Sequence, residues 1–168
     1  MSTTYGLHRA LLLNRNGVAI SFEGRSRTWM EVGGRVARLA GALQALGVGK
    51  RDRVAVLMLN QDRYIELYLG AAWAGAVIVP LNIRWSALEN EDALRDCAPK
   101  VLFVDAAFAA MGAELAKKVG DVRLVYADDA ANPVAGAGAL DYEKLIAEAT
   151  PVEDRQADDD ELDRKSVV

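Results

Sequence analysis

Apolar residues recur along this chain with two alternating periods, and the alternation predicts the elements. Residues 18–23 and 27–29 flank Gly24, Arg25 and Ser26 and predict a short hairpin with its turn at 24–26. A helix begins at Thr28, because Thr28 followed by Glu31 is a capping box in which each residue satisfies a backbone N–H near the other. Val32, Val36, Leu39, Leu43 and Leu46 then fall on one helical face, and Gly47 closes the helix. Gly33 and Gly34 inside this helix each cost about 1 kcal/mol relative to alanine, and sequence alone offers no reason for them.

Residues 54–59 are apolar without alternation, as suits a strand covered on both faces of a parallel sheet. Asn60, Gln61 and Asp62 can cap a following helix whose inward face is read as Tyr64, Ile65, Tyr68, Leu69 and Ala72, with Gly75 as its stop. A second buried strand at 76–79 is limited by Pro80. Ser86 and Glu89 form another capping box, and that helix runs to Cys97 before Pro99. A third strand at 101–104 ends at Asp105, a helix follows at 106–118, and a fourth strand occupies 122–126. After a loop at 127–139, a helix at 141–149 turns Tyr142, Leu145 and Ile146 inward. Strands alternating with helices define an α/β fold: a mostly parallel sheet with helices on both faces. Residues 1–150 form this α/β unit. Residues 151–168 read as an acidic tail or linker, since 153–165 hold seven acids and three bases.

Composition narrows the function classes. The chain has 168 residues, 52 % apolar and 26 % charged, so it is globular. Residues 1–100 carry +4 and the remainder −8, for a net charge of −4, which argues against a general nucleic-acid binder. One cysteine, Cys97, excludes an intrachain disulfide, and one histidine, His8, excludes a multi-histidine zinc site. Residues 1–17 lack the features of a signal peptide, and no apolar run reaches membrane-spanning length, so a cytoplasmic location is the expectation.

Candidate chemistry is sparse. Gly47-Val48-Gly49-Lys50-Arg51 resembles the end of a phosphate loop, but Gln44 stands where the first glycine belongs and Arg51 where serine or threonine belongs. Helix cap plus turn is the better reading. Asp105, Asp128 and Asp129 lie at carboxyl ends of strands, where open α/β sheets bind ligands, yet they read better as strand-end caps than as a metal site. The run Asp158 to Asp160 lacks a fixed cage for a cation. Cys97 has no histidine partner, and Trp29, Trp73 and Trp85 read as core or interface side chains. No complete catalytic constellation is visible, and neither a catalytic nor a metal-binding residue is assigned.

The order of the pieces carries more. Thr28-Trp29-Met30-Glu31-Val32, RVARLAGALQALG at 35–47, GKRDRVAVLMLN at 49–60, YIELYLGAAWAGAVIVPLN at 64–82 and KVLFVD at 100–105 together resemble the opening of the AMP-forming acyl-CoA synthetases, members of the adenylate-forming enzyme superfamily. Residues 82–90 most resemble fatty acyl-CoA ligases. The resemblance covers residues 15 to about 150. It implies the large N-terminal domain of such an enzyme, which joins a carboxylic acid to coenzyme A through an acyl-AMP intermediate, using ATP and Mg. It also implies a fatty acid substrate and a place in fatty acid metabolism. The family's phosphate loop, its aromatic-Gly-x-Thr-Glu segment, its ribose-binding Asp and its C-terminal lysine do not occur here. The resemblance therefore implies an N-terminal fragment or truncated reading frame that ends before the phosphate loop. Such a piece would be inactive alone, completed by the remainder of its own polypeptide and prone to self-association. Arg84, two places after Asn82, matches an arginine that in some members touches a phosphate of coenzyme A. The rival readings are an aryl-acid ligase, a peptide-synthetase adenylation domain, and a free-standing α/β interaction or regulatory module.

Overall fold

The structure is a computed structural model and describes residues 3–155. A five-stranded parallel sheet has the order β4-β3-β5-β6-β7, formed by β3 (Arg53–Leu57), β4 (Val77–Pro80), β5 (Val101–Val104), β6 (Arg123–Tyr126) and β7 (Leu140–Asp141). A separate antiparallel hairpin pairs β1 (Val18–Phe22) with β2 (Arg25–Thr28). Among the described residues the α-helices are α1 (Tyr5–Leu13), α2 (Trp29–Ala45), α3 (Asp62–Trp73), α4 (Ala87–Cys97), α5 (Ala109–Val119) and α6 (Tyr142–Glu148).

The central strands are apolar at successive positions because both faces are covered. Val54 and Val56, Val101 and Phe103, and Val125 enter one core with α1, α2, α3 and α6. Ala55 and Leu57, Leu102 and Val104, and Leu124 and Tyr126 enter the other core with α4 and α5. Both predicted capping boxes form: Glu31 N–H donates to Thr28 Oγ1, and Glu89 N–H donates to Ser86 Oγ, with each glutamate accepting in return from the cap N–H.

Four expectations change. The hairpin turn is Glu23-Gly24 rather than 24–26: both residues adopt positive φ (46° and 77°), as a two-residue turn of right-handed twist requires, and Arg25 and Ser26 belong to β2. Two elements went unread, α1 and the two-residue β7. Leu11 of α1 supplies the reason for Gly33, where a Cβ would stand 3.0 Å from Leu11 Cδ2; nothing crowds Gly34. The inward face of α3 is rotated from that read from its periodicity, with Tyr64 and Leu69 only half-buried against the core. Asp62, Arg63, Glu66, Leu67, Gly70 and Ala71 are buried, whereas Ile65 and Tyr68 are exposed. Gly70 causes this, because α2 approaches so closely there that a Cβ would lie 2.5 Å from Leu39 Cδ2.

Finally, residues 150–155 stay on the body instead of leaving it as a tail. Val152 N–H donates to Ala37 O (3.1 Å), Arg155 N–H to Trp73 O (2.9 Å), and Trp73 Nε1 to Val152 O (2.9 Å). His8 stacks on Trp73 and meets Asp154 at 2.7 Å. The run Asp158 to Asp160 lies outside the described residues.

Candidate functional site

The carboxyl ends of β3, β5 and β6 meet the start of α3, the point where an open α/β sheet offers a crevice. Here the crevice is closed from within. Asp105 accepts from Leu59 N–H (2.6 Å) and Phe108 N–H (3.2 Å), stitching the β3 exit to the β5 exit. Asp128 accepts from the N–H groups of Ala106, Asp129 and Ala130. Both act as strand-end caps, as their sequence context implied. Gln61 precedes α3 without capping it; its Nε2 reaches Ala127 O (3.1 Å) and its Oε1 accepts from Arg63 Nη1 (3.1 Å).

Above this seam lies a network the sequence did not reveal. Arg25 pairs with Asp62 through Nε and Nη2 (2.9 and 3.1 Å) and with Asp129 through Nη1 (3.0 Å). Arg27 also bonds Asp62. Arg35 grips Glu66 at 2.7 and 2.9 Å and Glu143 at 2.8 and 3.0 Å. Arg63 reaches Glu143 (2.9 Å) and Asp129 (2.6 Å). Tyr142 donates to Glu66, and both Arg35 and Arg63 stand over its ring.

Four cations and four anions thus join β2, α2, α3, the loop after β6, and α6. The charges cancel, which permits burial that isolated ions would not survive. Burial alone would raise the Asp62 carboxyl, but Arg25 and Arg27 outweigh it and hold it below the usual aspartate value. Glu143 is likewise pulled down by Arg35 and Arg63 against the opposing effect of burial. Hydrogen bonding from Arg63 lowers Asp129. Burial, then Glu66, pushes the Tyr142 phenol well above its ordinary value. One signal for this network was in the sequence: Arg25 and Arg27 share a strand face, and Asp62 and Glu66 a helix face.

Arg84 lies on the loop between β4 and α4. Its N–H donates to Asn82 Oδ1 (2.9 Å) in a tight turn, and its side chain projects into solvent. Among the described residues its guanidinium has no partner, so it can receive an anionic group such as a phosphate. Cys97 bonds Leu94 O through Sγ, and burial raises its thiol pKa. Trp73 is core, Trp29 packs against the core, and Trp85 is exposed beside Arg84. Among the described residues no group of three or more His, Cys, Asp or Glu side chains could hold a metal ion, and no helix is long and apolar enough to cross a membrane.

Residues 8–163 match the AMP-binding enzyme family, and the chain belongs to it. It is 38 % identical over 128 residues to an indoleacetate–CoA ligase of Aromatoleum aromaticum, covering 76 % of this chain and 24 % of that one. It is 39 % identical over 103 residues to a 3-hydroxybenzoate–CoA ligase of Aromatoleum sp. (strain CIB), covering 61 % and 20 %. A benzoate CoA ligase from Burkholderia xenovorans LB400 shares the fold, with a TM-score of 0.81 at 23 % identity over 94 % of this chain and 31 % of the other. The chain thus spans about a quarter or less of the length of these curated relatives, and corresponds to an N-terminal portion of an adenylate-forming acid–CoA ligase. The expected restriction to fatty acids is too narrow, because these relatives are named for aromatic acids.

Proposed function

We propose that this chain is the scaffold-forming part of an AMP-forming acid–CoA ligase, inactive by itself. In the complete reaction a carboxylate oxygen attacks the α-phosphorus of ATP, with Mg as its counter-ion, and pyrophosphate leaves. The thiolate of coenzyme A then attacks the acyl carbon, and AMP departs with the former carboxylate oxygen. The observation that carries this reading is the family match across residues 8–163. Among the described residues no cradle for a triphosphate is formed, since the arginines and backbone N–H groups at the strand ends already donate to carboxylates of this chain. The contribution of this portion is therefore structural, with one direct contact: Arg84 reaching a phosphate of coenzyme A.

The names of the relatives favour an aromatic acid as substrate. The similarity of residues 82–90 to fatty acyl-CoA ligases supports a fatty acid as the second reading. The cytoplasm is the compartment in keeping with either. The test is thioester formation by the full gene product, followed by mass spectrometry, with indoleacetate, 3-hydroxybenzoate and a long-chain fatty acid offered in turn. An aryl thioester is expected. A fatty acyl thioester alone would select the second reading, and no thioester from any acid would favour the free-standing module. Acid-dependent ATP–pyrophosphate exchange by the 168-residue chain would overturn its assigned inactivity.

A further inference from the structure

The outward stripe of α3 is the unexplained feature of this fold. Of its apolar residues, Tyr64 and Leu69 are half-buried against the core, whereas Ile65 and Tyr68 stand exposed. Strands β3 and β4 are parallel neighbours, so their carboxyl ends lie side by side. Around those ends stand six exposed apolar side chains: Leu59 after β3, Ile65 and Tyr68 on α3, Ile83 and Trp85 after β4, and Leu88 on the first turn of α4. Leu88 is 66 % exposed and Ile65 49 %. All six belong to the segments that leave or begin beside the β3–β4 edge, α3 on one face of the sheet and α4 on the other, and a series of exposed apolar side chains along one edge marks an interaction surface, unlike apolar residues scattered singly.

The edge strand β4 shows how the surface is used. Val77 N–H donates to Asp52 O just before β3 and Leu81 N–H to Val56 O within it, so by strand alternation Ile78 and Pro80 turn their peptide groups outward. Pro80 has no N–H. One outward donor is a poor template for adding a strand, and the partner must bind through side chains. The acidic run at 153–165 is unsuited to cover an apolar corner. The relatives, by contrast, are roughly three times as long as this chain.

We propose that this corner, centred on Ile65, Tyr68 and Trp85, is the docking surface for the remainder of the ligase polypeptide. The inference rests on the functional reading above. The covering surface is apolar opposite α3 and stops short of Arg84, or brings an anion to it, because a guanidinium is not buried unpaired.

Hydroxyl-radical footprinting of the 168-residue chain and of the full gene product tests this without mutation. Oxidation of Tyr68 and Trp85 should fall at least fivefold in the full product, while Tyr5, exposed on α1, changes less than twofold. Equal oxidation in both proteins would overturn the proposal, as would a gene product that ends at Val168. Protection that grows with protein concentration would assign the corner to a second copy and overturn it likewise. A paired variant, I65D with Y68D, should lower the melting of the full product by several degrees more than that of the 168-residue chain, where it removes only the stacking of Tyr68 on Tyr64. A paired control, L12D with L13D on exposed positions of α1, should move the full product by no more than a degree. Neither readout requires turnover, so absence of ligase activity overturns the functional reading and leaves this surface to be judged by protection alone.

Discussion

Tyr142 donates its phenolic hydrogen to Glu66 Oε2 at 2.8 Å across 76 positions of sequence, and both side chains are buried. The bond fastens α6, at the end of the described fold, to the middle of α3. It also completes the coordination of a carboxylate already gripped by Arg35. Glu66 is thus the inner node of the ionic network, with no solvent available to replace a lost partner.

Breaking the network at Glu66 should therefore cost more than deleting it. Glu66→Ala leaves Arg35 facing Glu143 with half of its contacts gone, and Arg27 with one fewer anion. Removing one partner of a buried pair costs about 3–5 kcal/mol. The double replacement of Arg35 and Glu66 by leucine should cost less than Glu66→Ala alone. Tyr142→Phe, which removes one bond to a charged acceptor, should cost about 1.5–3 kcal/mol. Urea unfolding of the four proteins measures the order, and a double variant weaker than Glu66→Ala would refute it.

This network also shows where sequence reading stops. The capping boxes at Thr28 and Ser86, the buried strands and the helix stops at Gly47 and Gly75 are local, each readable within a few residues. The pairs Arg25–Asp62 and Arg35–Glu143 are separated by 37 and 108 positions, and only the folded topology brings them together. α3 misled for a different reason. Its apolar stripe is real, but burial was decided by the small residues Gly70 and Ala71, which let α2 approach, and by charges buried as pairs. A glycine in mid-helix was the available sign. The proposed role of Arg84 comes only through resemblance, since an exposed loop arginine carries no pattern of its own.

The network predicts acid sensitivity. Asp62, Glu143 and Asp129 have lower pKa values folded than unfolded. Their contribution is then fully present above the unfolded values, about 3.9 for aspartate and 4.3 for glutamate. It is lost as pH falls through the lower, folded values. Asp62 dominates, because Asp129 and Glu143 are partly exposed and screened. Stability by urea unfolding should be level from pH 7 to 5 and decline below about pH 4. Asp62→Asn should flatten that decline while lowering stability at pH 7; an unchanged slope would remove Asp62 from the account.

The segment after α6 should depend on a glycine far from it. At Gly41 a Cβ would sit 2.0 Å from Thr150 O, a backbone atom that cannot rotate away. Gly41→Ala must push residues 150–155 off α2 and strain the bonds from Val152 to Ala37 and from Trp73 to Val152. The favourable helix propensity of alanine returns about 1 kcal/mol, against an overpacking cost of about 1–3 kcal/mol. The net change should be small in stability but clear in tryptophan fluorescence, because the acceptor of the Trp73 indole N–H, Val152 O, is displaced. An unaltered emission spectrum would show that the segment is not held as described.

Arg84 separates function from stability. Its guanidinium is exposed and unpartnered among the described residues, so Arg84→Ala should change the melting of the chain by less than about 0.5 kcal/mol equivalent. If it meets a phosphate of coenzyme A, the same substitution in the full gene product removes a charge-assisted contact. The Michaelis constant for coenzyme A should then rise about fivefold or more, the equivalent of roughly 1 kcal/mol. The constants for ATP and for the acid should stay as they are, because no triphosphate or acyl contact is assigned to this loop. Arg84→Lys should recover part of the loss by keeping the charge while surrendering the planar fork. A rise shared equally by all three substrates would mark a disturbed scaffold, and an unchanged constant for coenzyme A would return Arg84 to the status of a loop residue.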